Sequence, residues 1–546
     1  MQLTISAGKD SVIGMCSKSL TAWKLIASLS LAVSALLTVT ILVTGSTSVY
    51  ASSNATAAAG ISGPCRALSP RDCLQRVVEA TGGEKQLATL VSLEFDAIGH
   101  TQIAEQSYRQ EPFLSSYERT KETIDFKGKR VLRETRITWP ESDPGPAEVS
   151  ITAVAGADGG VRKTSKSDQP CSSADIEVAV DALTLGPLSV LIAAREATDL
   201  QFEDEEVVRS TPHLAMGFTS HGQHVRLLVD SFNLLPDVIE TTAQLHDFWF
   251  YWGDVHRKIY FDNWKFFRGF RYPSNTIEER NGLVWHSTQI LDLKANVPID
   301  ESRFAMDASA KQQSLTARGK EAPFHSGETK ELASGVTLFV GSWNATVIKQ
   351  DDGILLLECP LSGKYIGGLL DEIRRRYPQS PIKAVLSTSD SWPHVGGIRE
   401  AVAEGIPIYV LDLNRPLLER MVRAPHTLNP DALSRTPKEA QWRPITQKVE
   451  IGQGLNRVEL YPIRGNSTER QYLVYFPEHK LLYASDTLSL HDDGGLYDPE
   501  LMYEVLKVVE RERLDVSTVY AMHQGPTTWG QVLNLIQEDT TIKGTD

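Results

Sequence analysis

The spacing of apolar residues changes once along this 546-residue chain, and that change limits what it can fold into. Before residue 300, the segments 91–98, 130–137, 148–154, 224–229 and 283–291 carry β-branched and aromatic residues at period two, as strands with one buried face do. One helical interruption, about 185–197, is placed to cover a face of that sheet. After a polar stretch at 308–334, strand and helix alternate. Segments 338–348, 353–358, 382–387, 406–412, 458–462, 472–476, 480–484 and 517–521 read as strands, and 362–377, 395–404 and 499–511 as helices. Alternation of this kind implies sheets covered by helices. The expected class is α+β, with a β-rich domain at 65–307, a linker at 308–334 and a second domain at 335–546.

The first 64 residues belong to neither domain. Lys9, Lys18 and Lys24 precede a charge-free, largely apolar run at 25–43, and Val49-Tyr50-Ala51 offers the small residues that a signal peptidase reads. The run exceeds the roughly 7–15 residues of a signal core and reaches the roughly 17–25 that span a bilayer. Residues 1–51 are therefore expected to be a signal peptide, cut after Ala51, or an N-terminal membrane anchor; cleavage is the preferred of the two. Either way the segment engages the membrane during export and the body is periplasmic or extracellular. Residues 52–64, rich in Ser, Ala, Thr and Gly, form a flexible spacer. In an oxidising compartment Cys65 and Cys73 are expected to pair, the alternative being two unpaired thiols. The net charge of −14, with no dense basic run, excludes nucleic acid as a partner.

Order is expected to begin at Ser69-Pro70-Arg71-Asp72, a helix start whose helix ends at Gly82-Gly83. Farther on stand Phe248-Trp249-Phe250-Tyr251-Trp252, then Tyr260, Phe261, Trp264, Phe266, Phe267, Phe270 and Tyr272. Such a run either lines an apolar ligand cavity or is the inward face of two neighbouring strands. The layout of 73–306, a short helical start followed by long strands, resembles the curved antiparallel half-barrel of periplasmic lipoprotein carriers.

In the second half, the strand at 382–387 runs into Thr388-Ser389-Asp390-Ser391-Trp392-Pro393-His394-Val395-Gly396-Gly397. A later strand ends at Asp486, and His523 follows the last one. No GxGxxG or phosphate-binding loop follows any of these strands. On these residues, and on Leu411-Asp412-Leu413-Asn414-Arg415-Pro416, the segment 335–533 resembles the metallo-β-lactamase superfamily. The resemblance implies an αββα sandwich whose loops gather one or two zinc ions through imidazoles and carboxylates.

Aligned on His394-Val395-Gly396-Gly397, the superfamily's His-x-His-x-Asp-His motif has Ser389 and Ser391 in place of its two zinc histidines and Pro393 in place of its aspartate. The segment 464–470, where a third histidine is expected, has none. His394, Asp486 and His523 remain as candidate metal ligands, with Asp390 as a fourth oxygen; each taken singly also has a structural use. The implied cofactor is one weakly held zinc or other divalent metal, or none, and no catalytic residue is assigned. Two functions follow. One is a pseudoenzyme that binds an apolar or other small ligand, or a partner. The other is a metallo-β-lactamase-type hydrolase using a single residual metal.

Overall fold

The computed structural model describes residues 63–540 apart from 105, 107, 110, 141–146, 269, 317–323, 326, 342, 492 and 493. The targeting segment 1–51 and nearly all of the spacer lie outside the described residues. The fold is mixed α+β with a large antiparallel sheet. Among the described residues no single helix is long and apolar enough to cross a membrane.

The first helix, Pro70–Ala80, starts as the sequence dictates: Ser69 Oγ accepts from Asp72 N at 3.2 Å and Pro70 occupies the first turn. Cys65 and Cys73 are joined by a disulfide with their Cα atoms 5.4 Å apart. Among the described residues, fourteen strands then form one antiparallel sheet. It consists of two runs of sequential strands, 92–170 and 201–295, joined where Ser92–Gln102 pairs with Leu283–Ala295, Leu93 opposite Ala295. The helix expected at 185–197 is Ser189–Glu196, and a second helix not expected from the sequence, Ser173–Thr184, precedes it at a bend of 74°. Pro187, with no N–H to donate, separates them.

The second half has two further sheets. One is ordered Thr329–Ala333, Val336–Phe339, Ala345–Gln350, Gly353–Leu357, Ile382–Ser387, Ile408–Leu411, Trp442–Ile445, its last four strands parallel. The other runs Val449–Ile451, Val458–Pro462, Tyr472–Phe476, Leu481–Tyr483, Thr518–Tyr520, Thr527–Thr528. Alternation within single strands fixes the layers. In Gly353–Leu357, Leu355 and Leu357 enter a core shared with Leu460, Val474 and Tyr483 of the other sheet. Ile354 and Leu356 face the helices Gly363–Arg376 and Arg415–Arg423. On the outer face of the last sheet, Leu473 and Leu482 meet Val505, Val508 and Ile536 from the helices Pro499–Glu512 and Trp529–Thr540. Within the polar stretch 308–334, Ala308–Thr316 is helical and Thr329–Ala333 is an edge strand.

The aromatic run divides, and only its later part lies on neighbouring strands. Phe250–Trp252 is a 3-10 turn, not a strand. Trp249, Tyr251 and Trp252 are buried with Leu417, Leu418 and Met421 of Arg415–Arg423, tying the first sheet to the second. Phe261 and Tyr272, on paired strands, lie in the core of the first sheet, while Phe266 is exposed.

Candidate functional site

The strand Ile382–Ser387 is parallel to its neighbours on both sides, and the loop that leaves its C-terminal end carries the motif residues, as loops at the carboxyl ends of parallel strands commonly carry function. The loop leaving it, Thr388 to Ser391, is wholly buried. Gly396 and Gly397 follow because nothing larger fits: a Cβ at Gly396 would sit 2.2 Å from Leu361 O, and one at Gly397 would sit 2.3 Å from Ile366 Cγ1 and 2.6 Å from Ser362 O. Gly397→Ala is expected to cost about 1–3 kcal/mol through overpacking, read by urea unfolding; a neutral effect would show that this close approach is dispensable.

His394 is fully buried in the turn that follows. Its Nδ1 lies 3.1 Å from Glu358 Oε2 and its Nε2 3.7 Å from Asp486 Oδ2, and neither nitrogen makes an aligned hydrogen bond. Burial alone would lower its pKa, but the Glu358 and Asp486 carboxylates outweigh that and raise it to about 10. The two carboxylates favour the protonated ring, and a metal at His394 would have to displace that proton. Asp486 follows the strand Leu481–Tyr483, and its Oδ1 lies 2.9 Å from Nε2 of His523, whose side chain is 34% exposed. The two imidazoles hold the Asp486 carboxyl below its ordinary pKa despite burial. The fold therefore brings His394, Asp486 and His523 near one another through direct contacts to Asp486. Among the described residues, the group whose ligand atoms all lie within 4.8 Å of one another is His213, Asp230 and Asp237, in the first sheet. Both Asp230 oxygens there already accept bonds from the turn at Phe232 and Asn233.

Asp390, expected as a fourth metal oxygen, is instead paired with Arg470. Oδ2 of Asp390 accepts from Arg470 Nε at 2.8 Å and Nη2 at 2.5 Å, and both side chains are fully buried. The same guanidinium donates to the carbonyls of Gln106 at 2.7 Å, Arg109 at 3.1 Å and Ala104 at 3.2 Å, and it lies over the Phe113 ring at 5.5 Å. Glu469 N donates to Tyr108 O at 3.1 Å, and Ser391 Oγ to Gln106 Oε1 at 3.2 Å. The loop after Ser92–Gln102 is thus clasped by Arg470, Glu469 and Ser391. Next to Arg470, the Gln471 side-chain oxygen accepts from Asp486 N at 3.1 Å.

Aromatic rings pack beside this cluster. Trp392 stacks on Phe248 at 5.4 Å and meets Phe250 and Trp343 edge-on, and Trp343 lies 6.4 Å from His523. Sequence reasoning missed Arg470 and Glu358. Arg470 stands inside the segment searched for a histidine, and Glu358 directly follows the strand Gly353–Leu357.

No protein-family model and no curated protein matches the chain. Among solved structures, it is similar to the metallo-β-lactamase from Pontibacter korlensis, at 14% identity over 39% of this chain and 99% of that one, with a TM-score of 0.32. The metallo-β-lactamase from Erythrobacter litoralis is 15% identical over 40% of this chain and 100% of that one, with a TM-score of 0.31. A sec-alkylsulfatase from Pseudomonas sp. is 14% identical over 39% of this chain and 40% of that one, with a TM-score of 0.29.

Proposed function

We propose that this chain is an exported, non-catalytic binding protein descended from metallo-β-lactamase-type hydrolases. Residues 65–307 form a carrier-like half-barrel that takes an apolar ligand, and 335–546 form the αββα sandwich. The reading that the body works beyond the membrane, cut after Ala51 or anchored through 1–51, rests on the charge-free run at 25–43. The observation that carries the loss of catalysis is the buried guanidinium of Arg470, bonded to Asp390 between the two serines that stand at histidine positions. A guanidinium is permanently charged and cannot ligate a metal, so a fixed cation of the chain supplies the positive charge that a metal would bring. Ser389, Ser391 and the segment 464–470 offer no imidazole, and these residues do not fit a two-metal centre.

A second reading, a hydrolase with one residual metal, is favoured by one arrangement. Glu358 addresses Nδ1 of His394 and leaves Nε2 turned to Asp486, as a carboxylate does when it orients a histidine whose other nitrogen binds a metal. Elemental analysis together with melting curves in zinc and manganese separates the two. The binding-protein reading expects no stoichiometric metal and the same Tm with and without metal, in wild type and in His394→Ala. A metal-dependent rise of Tm that disappears in His394→Ala would establish the second reading, because a ligand of the native state stabilises it by mass action.

A further inference from the structure

The 14-stranded sheet and the helix Ser173–Thr184 enclose a cavity of about 430 Å³, within the size range of sites that hold one small molecule. Much of its wall is apolar, with Ile124, Val131, Phe261 and Tyr272 all buried. The remainder is ionic, and negative charge predominates. Arg133 lies 3.2 Å from both Glu118 and Glu122, so a single guanidinium serves two carboxylates, with His286 3.3 Å from Glu118. Arg257 is likewise shared between Asp181 and Glu278, each at 2.8 Å. Arg280 adds one contact to Glu278 at 2.9 Å but turns its Nη1 to Asp247 at 2.5 Å. Asp175 is neutralised by Arg162 at 2.7 Å. Burial pushes the pKa of Glu122 up against the pull of Arg133, and that of Asp181 up against the pull of Arg257. Burial thus disfavours the charged form of both, and a cation arriving beside either would stabilise it.

We propose that this cavity binds a single-chain amphiphile bearing an amine or quaternary ammonium group, its chain against Ile124, Val131 and Phe261 and its cation beside Glu122 and the Tyr272 ring. An aromatic face next to a carboxylate attracts such a cation, and desolvation strengthens the attraction. An anionic head group would meet guanidiniums already shared between carboxylates. The proposal rests on the reading of the first sheet as a binding module.

Calorimetric titration of the full chain with decyltrimethylammonium, decanoate and decyl maltoside, each below its micelle-forming concentration, tests it. The expected result is one equivalent of decyltrimethylammonium bound about tenfold or more tighter than either other probe, a difference of about 1.4 kcal/mol. Glu122→Gln should abolish that preference. Ala153→Phe, which adds bulk at a lining position on the strand Ala147–Gly156, should abolish binding of the cation while leaving the circular dichroism spectrum unchanged. Decanoate or the maltoside binding as tightly as the cation would overturn the charge assignment alone. Binding of none of the three would overturn the binding-module reading as well. The wild-type comparison reads both outcomes without depending on either variant folding.

Discussion

Arg470→Met will cost the fold about 3–5 kcal/mol, since removing one partner of a buried ion pair leaves the other charge unpaired in a medium that solvates it poorly. Asp390 loses both its contacts to the guanidinium, and the carbonyls of Ala104, Gln106 and Arg109 lose their donor. Asp390→Leu alone should cost a similar amount for the converse reason. The pair Arg470→Met with Asp390→Leu should recover much of the loss, because two apolar side chains of similar volume often replace a buried pair at little cost. Urea unfolding of the two single variants and the double variant gives the coupling energy directly. If Arg470→Met lies within about 1 kcal/mol of wild type, the guanidinium is not the internal counterion described here.

The second large effect is one of pH. His426, whose side chain is 10% exposed, packs its ring against Gly253, where a Cβ would lie 2.3 Å from His426 Cδ2. Burial and the nearby Arg399 charge lower its pKa to about 4, against the opposing pull of Asp431 and Asp254. The folded value lies below the unfolded one, so the unfolded chain takes up the proton first as pH falls. Stability from the neutral ring is complete above about pH 6.5 and is lost progressively down to about pH 4, roughly 3 kcal/mol in all. His426→Gln should flatten that part of the profile. Equal pH dependence of wild type and variant between pH 7 and 4.5 would show that the ring is not held neutral. The effect bears on how the halves are joined. Beside His426, Thr427 N and Leu428 N donate to Asp254 at 2.7 and 3.0 Å, and Asp254 N donates to Pro425 O at 2.8 Å.

Local signals carried the strands well, and contacts distant in sequence hid the rest. The segments 130–137 and 283–291 lie within the observed strands Arg130–Trp139 and Leu283–Ala295, because one apolar face at period two is a short-range pattern. The helix Ser173–Thr184 escaped notice because Ile176, Val178 and Val180 stand at strand spacing. What makes it helical is the capping box of Ser172 and Asp175, together with burial of Ile176 and Ala179. At the candidate site, the order of His394, Asp486 and His523 was legible from the flanking strands, and they lie near one another. The role of Arg470 was not. Its carboxylate partner is 80 residues away and its carbonyl partners 361 to 366 residues away, and no periodicity reports a charge pairing over such separations.

The pairing of Ser92–Gln102 with Leu283–Ala295 governs the order in which the large sheet assembles. Each run of sequential strands zips up through neighbours joined by short connections, which costs little loop-closure entropy. The seam between them joins residues about two hundred positions apart, Leu93 with Ala295, and closes the largest loop in that sheet. Contacts at the seam are therefore expected to form after the two runs have zipped up, which folding and unfolding rates of seam variants would test. Substitutions there will act on how fast the sheet opens and leave the rate at which it forms nearly unchanged.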